Sequence, residues 1–245
     1  MYKHVFINGC SHSAGSELEG SGIGEGTYNR DNCFGAQIAS KLNATWTNCA
    51  YPGASNDYIA RTTLYWLLEN KELAKDTLFL IHWTGTDRTE YFYEKSKTTA
   101  ISYDFIKFTP DTNVTHLHPQ HYPDWAPQQW KKNLEVLGNN LFINPVQWNI
   151  NRYNNIIQTQ ELLKAYNLKY IFRNAFQCCE NTPRYTYYID KIDKVNFLDF
   201  DNAEESFYEH CLSQGFDTVG QQYWHHRLPA HTYWANKICS SSLAL

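Results

Sequence analysis

Ser11 has the most reactive setting in the chain: Gly9-Cys10-Ser11-His12 follows directly on a short β-branched and aromatic run at 3–8. A hydroxyl at the carboxyl end of a strand, in a turn with glycine, faces the crevice where open α/β sheets gather ligands. A free hydroxyl is a weak nucleophile at neutral pH, so Ser11 needs a base to take its proton. It also needs N–H donors aimed at the oxyanion that develops on an attacked carbonyl. Three further segments put polar residues at strand ends: 48–56, 83–90, and the stretch before the last helix, which holds His225, His226 and His231. His116, His118 and His121 raise a different chemistry, because H-x-H on a strand puts both rings on one face. Only Asp111 and Asp124 lie near them, and no Cys does, so they read as solvated or packed on aromatics and no metal site is expected.

The hydropathy pattern supplies the elements that must carry these residues. Segments 3–8, 44–49, 77–83 and 168–174 read as strands. The third is nearly continuous in apolar residues, the pattern of a central strand buried on both faces. Phe34, Ile38 and Leu42 mark one face of a helix. Ser55 caps another that runs to about Leu68 and ends near Asn70. Residues 149–166 and 229–238 read as later helices, the last with Pro229 in its first turn. Alternating strands and helices predict an α/β fold, a three-layer α/β/α sandwich on a central parallel sheet. Residues 1–245 read as one domain with an irregular, aromatic-rich insertion at about 90–145, where Pro110, Pro119, Pro123 and Pro127 break any period. In it Tyr103, Tyr122, Trp125 and Trp130 would stack on a sugar ring or pack the insertion onto the sheet. Residues 15–31, with five glycines, read as a loop, and 185–188 as an edge strand.

Composition narrows the function classes. Apolar residues make up 42% of the 245 and charged residues 19%, a globular balance. With 21 Lys and Arg against 25 Asp and Glu, the net charge of −4 argues against a general nucleic-acid binder. No apolar run approaches the ~18–20 residues that span a bilayer. The first ten residues lack the apolar core of a secretory signal, so a cytoplasmic protein is expected. Seven scattered cysteines without a C-x-x-C pair read as reduced thiols. Gly22-Ile23-Gly24-Glu25-Gly26 is not a dinucleotide fingerprint, and no cofactor is expected.

Three ordered blocks resemble the SGNH/GDSL hydrolases. Gly9-Cys10-Ser11-His12-Ser13-Ala14-Gly15 is similar to the first, in the variant of bacterial and phage members where Cys replaces the Asp before the serine. Asn48-Cys49-Ala50-Tyr51-Pro52-Gly53-Ala54-Ser55-Asn56 is similar to the second. His225-His226-Arg227-Leu228-Pro229-Ala230-His231, followed by Trp234-Ala235, resembles the last, where a catalytic His lies six residues before a second His. The resemblance implies a flavodoxin-like SGNH fold and a serine esterase or deacylase acting through an acyl-enzyme. Ser11 would be the nucleophile, His225 the base, and the Ser11 and Gly53 N–H groups the oxyanion hole. The substrate would be a small-molecule or glycan ester, such as an O-acetylated carbohydrate.

Two departures matter. The family's third block is usually Gly-x-Asn-Asp, and here Gly85-Thr86-Asp87-Arg88 stands nearest. An ionised Asp87 would repel an oxyanion unless it turned away, for instance to pair with Arg88. Thr84 or Asn56 would then donate, Asn56 being preferred for its amide. The family's acid lies three residues before the catalytic His, where this chain has Gln222. Asp217, eight residues upstream, would replace it, or a main-chain carbonyl would leave a dyad. The same departures motivate an alternative function: an inactive SGNH-fold protein that binds a carbohydrate or other polar ligand.

Overall fold

The computed structural model describes residues 2–18, 27–86, 88–94, 103–111, 114–119, 132, 145–176, 182–219 and 225–243, with 89–94, 103–111 and 114–119 as backbone. Four parallel strands form the central sheet: β1 (His4–Asn8), β2 (Thr45–Asn48), β3 (Thr77–Trp83) and β7 (Lys169–Asn174), in the order β2-β1-β3-β7. The third is buried along its whole length, as its continuous apolar pattern requires.

Side-chain alternation divides these strands between two cores. Phe6, Phe79, Ile81 and Phe172 point to the face covered by α4 (Asn56–Glu69), which the short α5 (Lys71–Ala74) follows, and by α6 (Pro145–Ala165). Val5, Ile7, Leu78, Leu80 and Ile171 point to the face covered by α3 (Phe34–Lys41), α8 (Phe207–Ser213) and α9 (Leu228–Ser242). Burying one such side chain contributes about 1.5–3 kcal/mol, so both faces are needed to hold the sheet. Ser55 caps α4 as expected, its side chain accepting from the Tyr58 N–H at 3.1 Å. The result is a mixed α/β fold with a central parallel sheet and helices on both faces. No described helix is long and apolar enough to cross a membrane.

Three local expectations are corrected. The start of the insertion is a second, antiparallel sheet of β4 (Thr89–Glu94), β5 (Tyr103–Asp111) and β6 (Val114–Pro119), in that order. Its prolines are tolerated by position: Pro119 ends β6, and Pro110 lies at a register shift beyond the reach of β4. Residues 185–188 form no edge strand. Pro183 opens a 3₁₀ turn that runs into α7 (Thr186–Ile189), with Tyr185 buried and Tyr188 stacked on Tyr153. Part of the glycine-rich loop is helical, as α2 (Thr27–Asn32).

Candidate active site

β1 delivers Ser11 to the carboxyl edge of the sheet, between the ends of β2 and β3. Asn8 fixes that end by donating its amide to the Ile59 carbonyl (3.0 Å) and to the Thr62 and Thr63 hydroxyls (2.8 and 3.0 Å). The chain then turns at Gly9, φ 154°, where a Cβ would lie 2.4 Å from Ser13 Oγ. Only glycine fits this close approach. One short helix follows, α1 (Ser11–Ala14), and its capping residue Gly15 has φ 75°. A Cβ on Gly15 would meet the Asn29 carbonyl oxygen at 2.4 Å. That turn sets up Glu17, which itself has φ 63°, a left-handed conformation uncommon for a residue with a side chain.

Glu17 is 4% exposed, and its carboxylate oxygen lies 2.5 Å from His225 Nδ1 across 208 residues of sequence. A buried carboxylate requires a partner of this kind. His225 arrives on β9 (His225–His226), which pairs with β8 (Thr218–Val219) and packs against α1. The ring of His12, the neighbour of Ser11, lies 5.2 Å from the His225 ring. The Ser11 hydroxyl and His225 are not hydrogen-bonded to each other. Among the described residues, neither Ser11 Oγ nor His225 Nε2 has another hydrogen-bond partner.

The three neighbouring histidines have other duties. His226 places Nε2 at 3.0 Å from the Tyr208 carbonyl and Nδ1 at 3.2 Å from the Asp217 carbonyl, so neither nitrogen is open to Ser11. His231 Nδ1 accepts the Phe34 N–H at 3.2 Å and ties α9 to α3. Burial, with the charges of His226 and His225 behind it, pushes His231 down to about 3. His12 sits among Phe176, Phe207 and Tyr208, and burial lowers it well below the usual histidine value.

At the ends of β2 and β3 the polar residues are partly committed. Asn48 donates its amide to the Ser13 carbonyl (3.0 Å) and accepts from the Ala50 N–H (2.9 Å), locking the second block against α1. Gly53, at φ 72°, occupies the turn before Ser55. Asn56 donates to the Thr84 and Gly85 carbonyls (3.2 and 3.0 Å) and accepts the Thr84 N–H (3.0 Å). Both amide protons are spent, so the expected oxyanion donor is instead a tie between α4 and the end of β3. Thr84 is buried, and its hydroxyl accepts from Arg88 Nη1 at 2.9 Å. Asp217 is likewise corrected as the acid: it is exposed, and what it offers a histidine is its carbonyl, to His226. Asp87 and Gln222 lie outside the described residues. So do the side chains of His116, His118 and His121, and among the described residues no group of three or more His, Cys, Asp or Glu is placed to hold a metal ion.

The model of a family of unknown function, DUF6071, matches residues 17–238. The chain belongs to that family. Within DUF6071 the matched span takes in Glu17, Gly53, Arg88 and His225 and begins after Ser11. No curated protein matches the sequence. Similar solved structures include the psychrotrophic esterase EstA from Pseudoalteromonas sp., 11% identical, covering 99% of this chain and 97% of that one at a TM-score of 0.48. A carbohydrate esterase with divergent catalytic and non-catalytic binding functions is 11% identical over 98% of this chain and 68% of its own, at 0.41. The lipase Lip_vut3 from a goat rumen metagenome is 10% identical over 99% and 98%, at 0.44.

Sequence reasoning missed Glu17 in this DUF6071 chain. Its only local signal was a carboxylate six residues after Ser11, and Glu19 and Glu25 in the same glycine-rich segment carried that signal equally.

Proposed function

We propose that the chain is a serine esterase or deacylase in which Ser11 is the nucleophile, His225 the general base and Glu17 the orienting acid. One observation carries this reading: the buried Glu17 carboxylate on His225 Nδ1, in a ring that packs beside α1. A carboxylate there keeps the proton on Nδ1, leaves the Nε2 lone pair as the base, and stabilises the imidazolium that forms. Ser11 Oγ would attack the ester carbonyl carbon while its proton passes to Nε2. The oxyanion would be met by the N–H groups of Ser11 and Gly53, neither of which is spent on a described main-chain carbonyl. Collapse would expel the alcohol, protonated by Nε2, and water activated by the same ring would then release the acid. Catalytic hydrogen bonds in unliganded sites are often long and tighten on binding, which is the step the Ser11–His225 pair would still need. Small acyl esters, O-acetylated carbohydrates among them, fit the resemblance.

The missing Ser11–His225 hydrogen bond favours a second reading, a protein that binds a polar ligand without turning it over. A fluorophosphonate probe and a panel of short-chain esters separate the two. The first reading expects labelling at Ser11 and ester turnover, both abolished in Ser11→Ala with an unchanged melting temperature. A folded protein that neither labels nor turns over any ester on the panel refutes it.

A further inference from the structure

Arg88 lies just beyond the end of β3, on the Phe176 side of this site, and among the described residues its charge meets no carboxylate. Its guanidinium is half-buried and held in two places: Nη1 donates to Thr84 Oγ1 at 2.9 Å, and Cζ lies 5.2 Å from the centre of the Phe176 ring. The far side of the site begins at that same ring, since Phe176 meets His12 at 5.8 Å and His12 meets His225 at 5.2 Å. The charge of Arg88 reaches far enough to contribute to lowering His12. Among the described residues no carboxylate pairs with Arg88, and the buried carboxylate of this region, Glu17, is taken by His225.

A guanidinium carries five N–H donors in a planar fork, and Thr84, a neutral hydroxyl, satisfies one. Partial burial strips away water that would otherwise screen the charge, so an anion docking there gains more than it would at an open surface. The Phe176 contact and the Thr84 bond both restrict the side chain, which reduces the entropy lost when a ligand is engaged.

We propose that Arg88 is a specificity-determining residue and that the ester hydrolysed at Ser11 carries an anionic group, a carboxylate or a similar oxyanion, close to the bond that is cut. This rests on the reading of Ser11, His225 and Glu17 as an ester-cleaving site. The Arg88 guanidinium, held between Thr84 and Phe176, receives that anion, while the uncharged acyl or alcohol portion lies toward His12.

The test uses two matched ester pairs. In one the charge is on the acyl side, 4-nitrophenyl hemisuccinate against 4-nitrophenyl butyrate. In the other it is on the leaving group, 4-acetoxybenzoate against its methyl ester. The wild-type protein is expected to prefer the anionic member of at least one pair by about tenfold or more in kcat/KM, with the difference in KM. Arg88→Gln should cut that anionic-to-neutral ratio at least tenfold, and Arg88→Lys should restore part of it. No preference in either pair, or a ratio unchanged in Arg88→Gln, overturns the proposal. Calorimetry of 4-acetoxybenzoate and 4-nitrophenyl hemisuccinate on Ser11→Ala, with and without Arg88→Gln, separates this outcome from failure of the esterase reading. Absent turnover with Arg88-dependent binding refutes the esterase and keeps the anion site. Turnover of neutral esters with no Arg88-dependent binding does the reverse.

Discussion

The two ends of the parallel sheet treat a carboxylate in opposite ways. At the amino end, Asp193 borders a cavity of about 260 Å³ lined by Tyr2, Lys164, Lys169 and Tyr170 among others. Its Oδ2 collects the Tyr170 hydroxyl at 2.6 Å, the Asn196 amide at 3.0 Å and Lys164 at 3.2 Å. Burial opposes its ionisation, but these donors outweigh it and hold the acid down at about 2. At the carboxyl end, Glu17 has one observed partner, an imidazole, and reaches it from a left-handed backbone. A carboxylate saturated by fixed donors fastens structure together, whereas one that faces a single titratable ring from a strained position is arranged for proton chemistry.

Changing either carboxylate to its amide tests that contrast. Glu17→Gln should lower kcat on a neutral short-chain ester by about 10²–10⁴ with little change in KM, since in serine proteases the amide at this position costs about 10⁴. Steady-state kinetics checks it, and a loss of less than threefold would place Glu17 outside the reaction. Gly9→Ala should cost about 1–3 kcal/mol in denaturant unfolding, because the added methyl falls on Ser13 Oγ. Asp193→Asn should cost about 1–2 kcal/mol and leave ester turnover at the wild-type rate. Parallel turnover losses in the Glu17 and Asp193 variants would erase the distinction between the ends.

Acid should loosen the two ends in sequence. His231 stays neutral in the fold down to about 3, against an ordinary 6.5, so below 6.5 the unfolded chain takes up a proton that the folded chain refuses. Stability therefore falls as pH drops through that window. Asp193 contributes stability that is lost only lower, between its ordinary 3.8 and about 2. Thermal melts from pH 7 to 4 should show a shallower slope in His231→Gln than in wild type, and an unchanged slope in Asp193→Asn down to about pH 4. Equal slopes in wild type and His231→Gln would remove His231 from the acid response.

What could be read beforehand was what sequence encodes locally. The continuous run at 77–83 is β3 residue for residue, and Ser55 caps α4 where it was expected. The β5–β6 pairing was hidden because its prolines lie at a bulge and at a strand end, positions a propensity argument does not distinguish from a loop. Asn56 looked like a free donor because its amide is polar and near the site, while its two acceptors are carbonyls 28 and 29 residues away. Glu17 was the hardest to see. Its contact with His225 depends on a turn at Gly15 and on a ring brought in by β9, and neither relation has a fixed spacing in the chain.

Arg88 immediately precedes β4, where the chain leaves the buried parallel sheet for the antiparallel one. The guanidinium thus stands at a joint, while Ser11, Glu17 and His225 belong to segments anchored elsewhere. Its side chain is nonetheless held from the parallel-sheet side, by Thr84 after β3 and Phe176 after β7. If the proposed roles hold, the group that would choose the ester and the groups that would cut it hang from different strands, so one could vary while the other stays fixed.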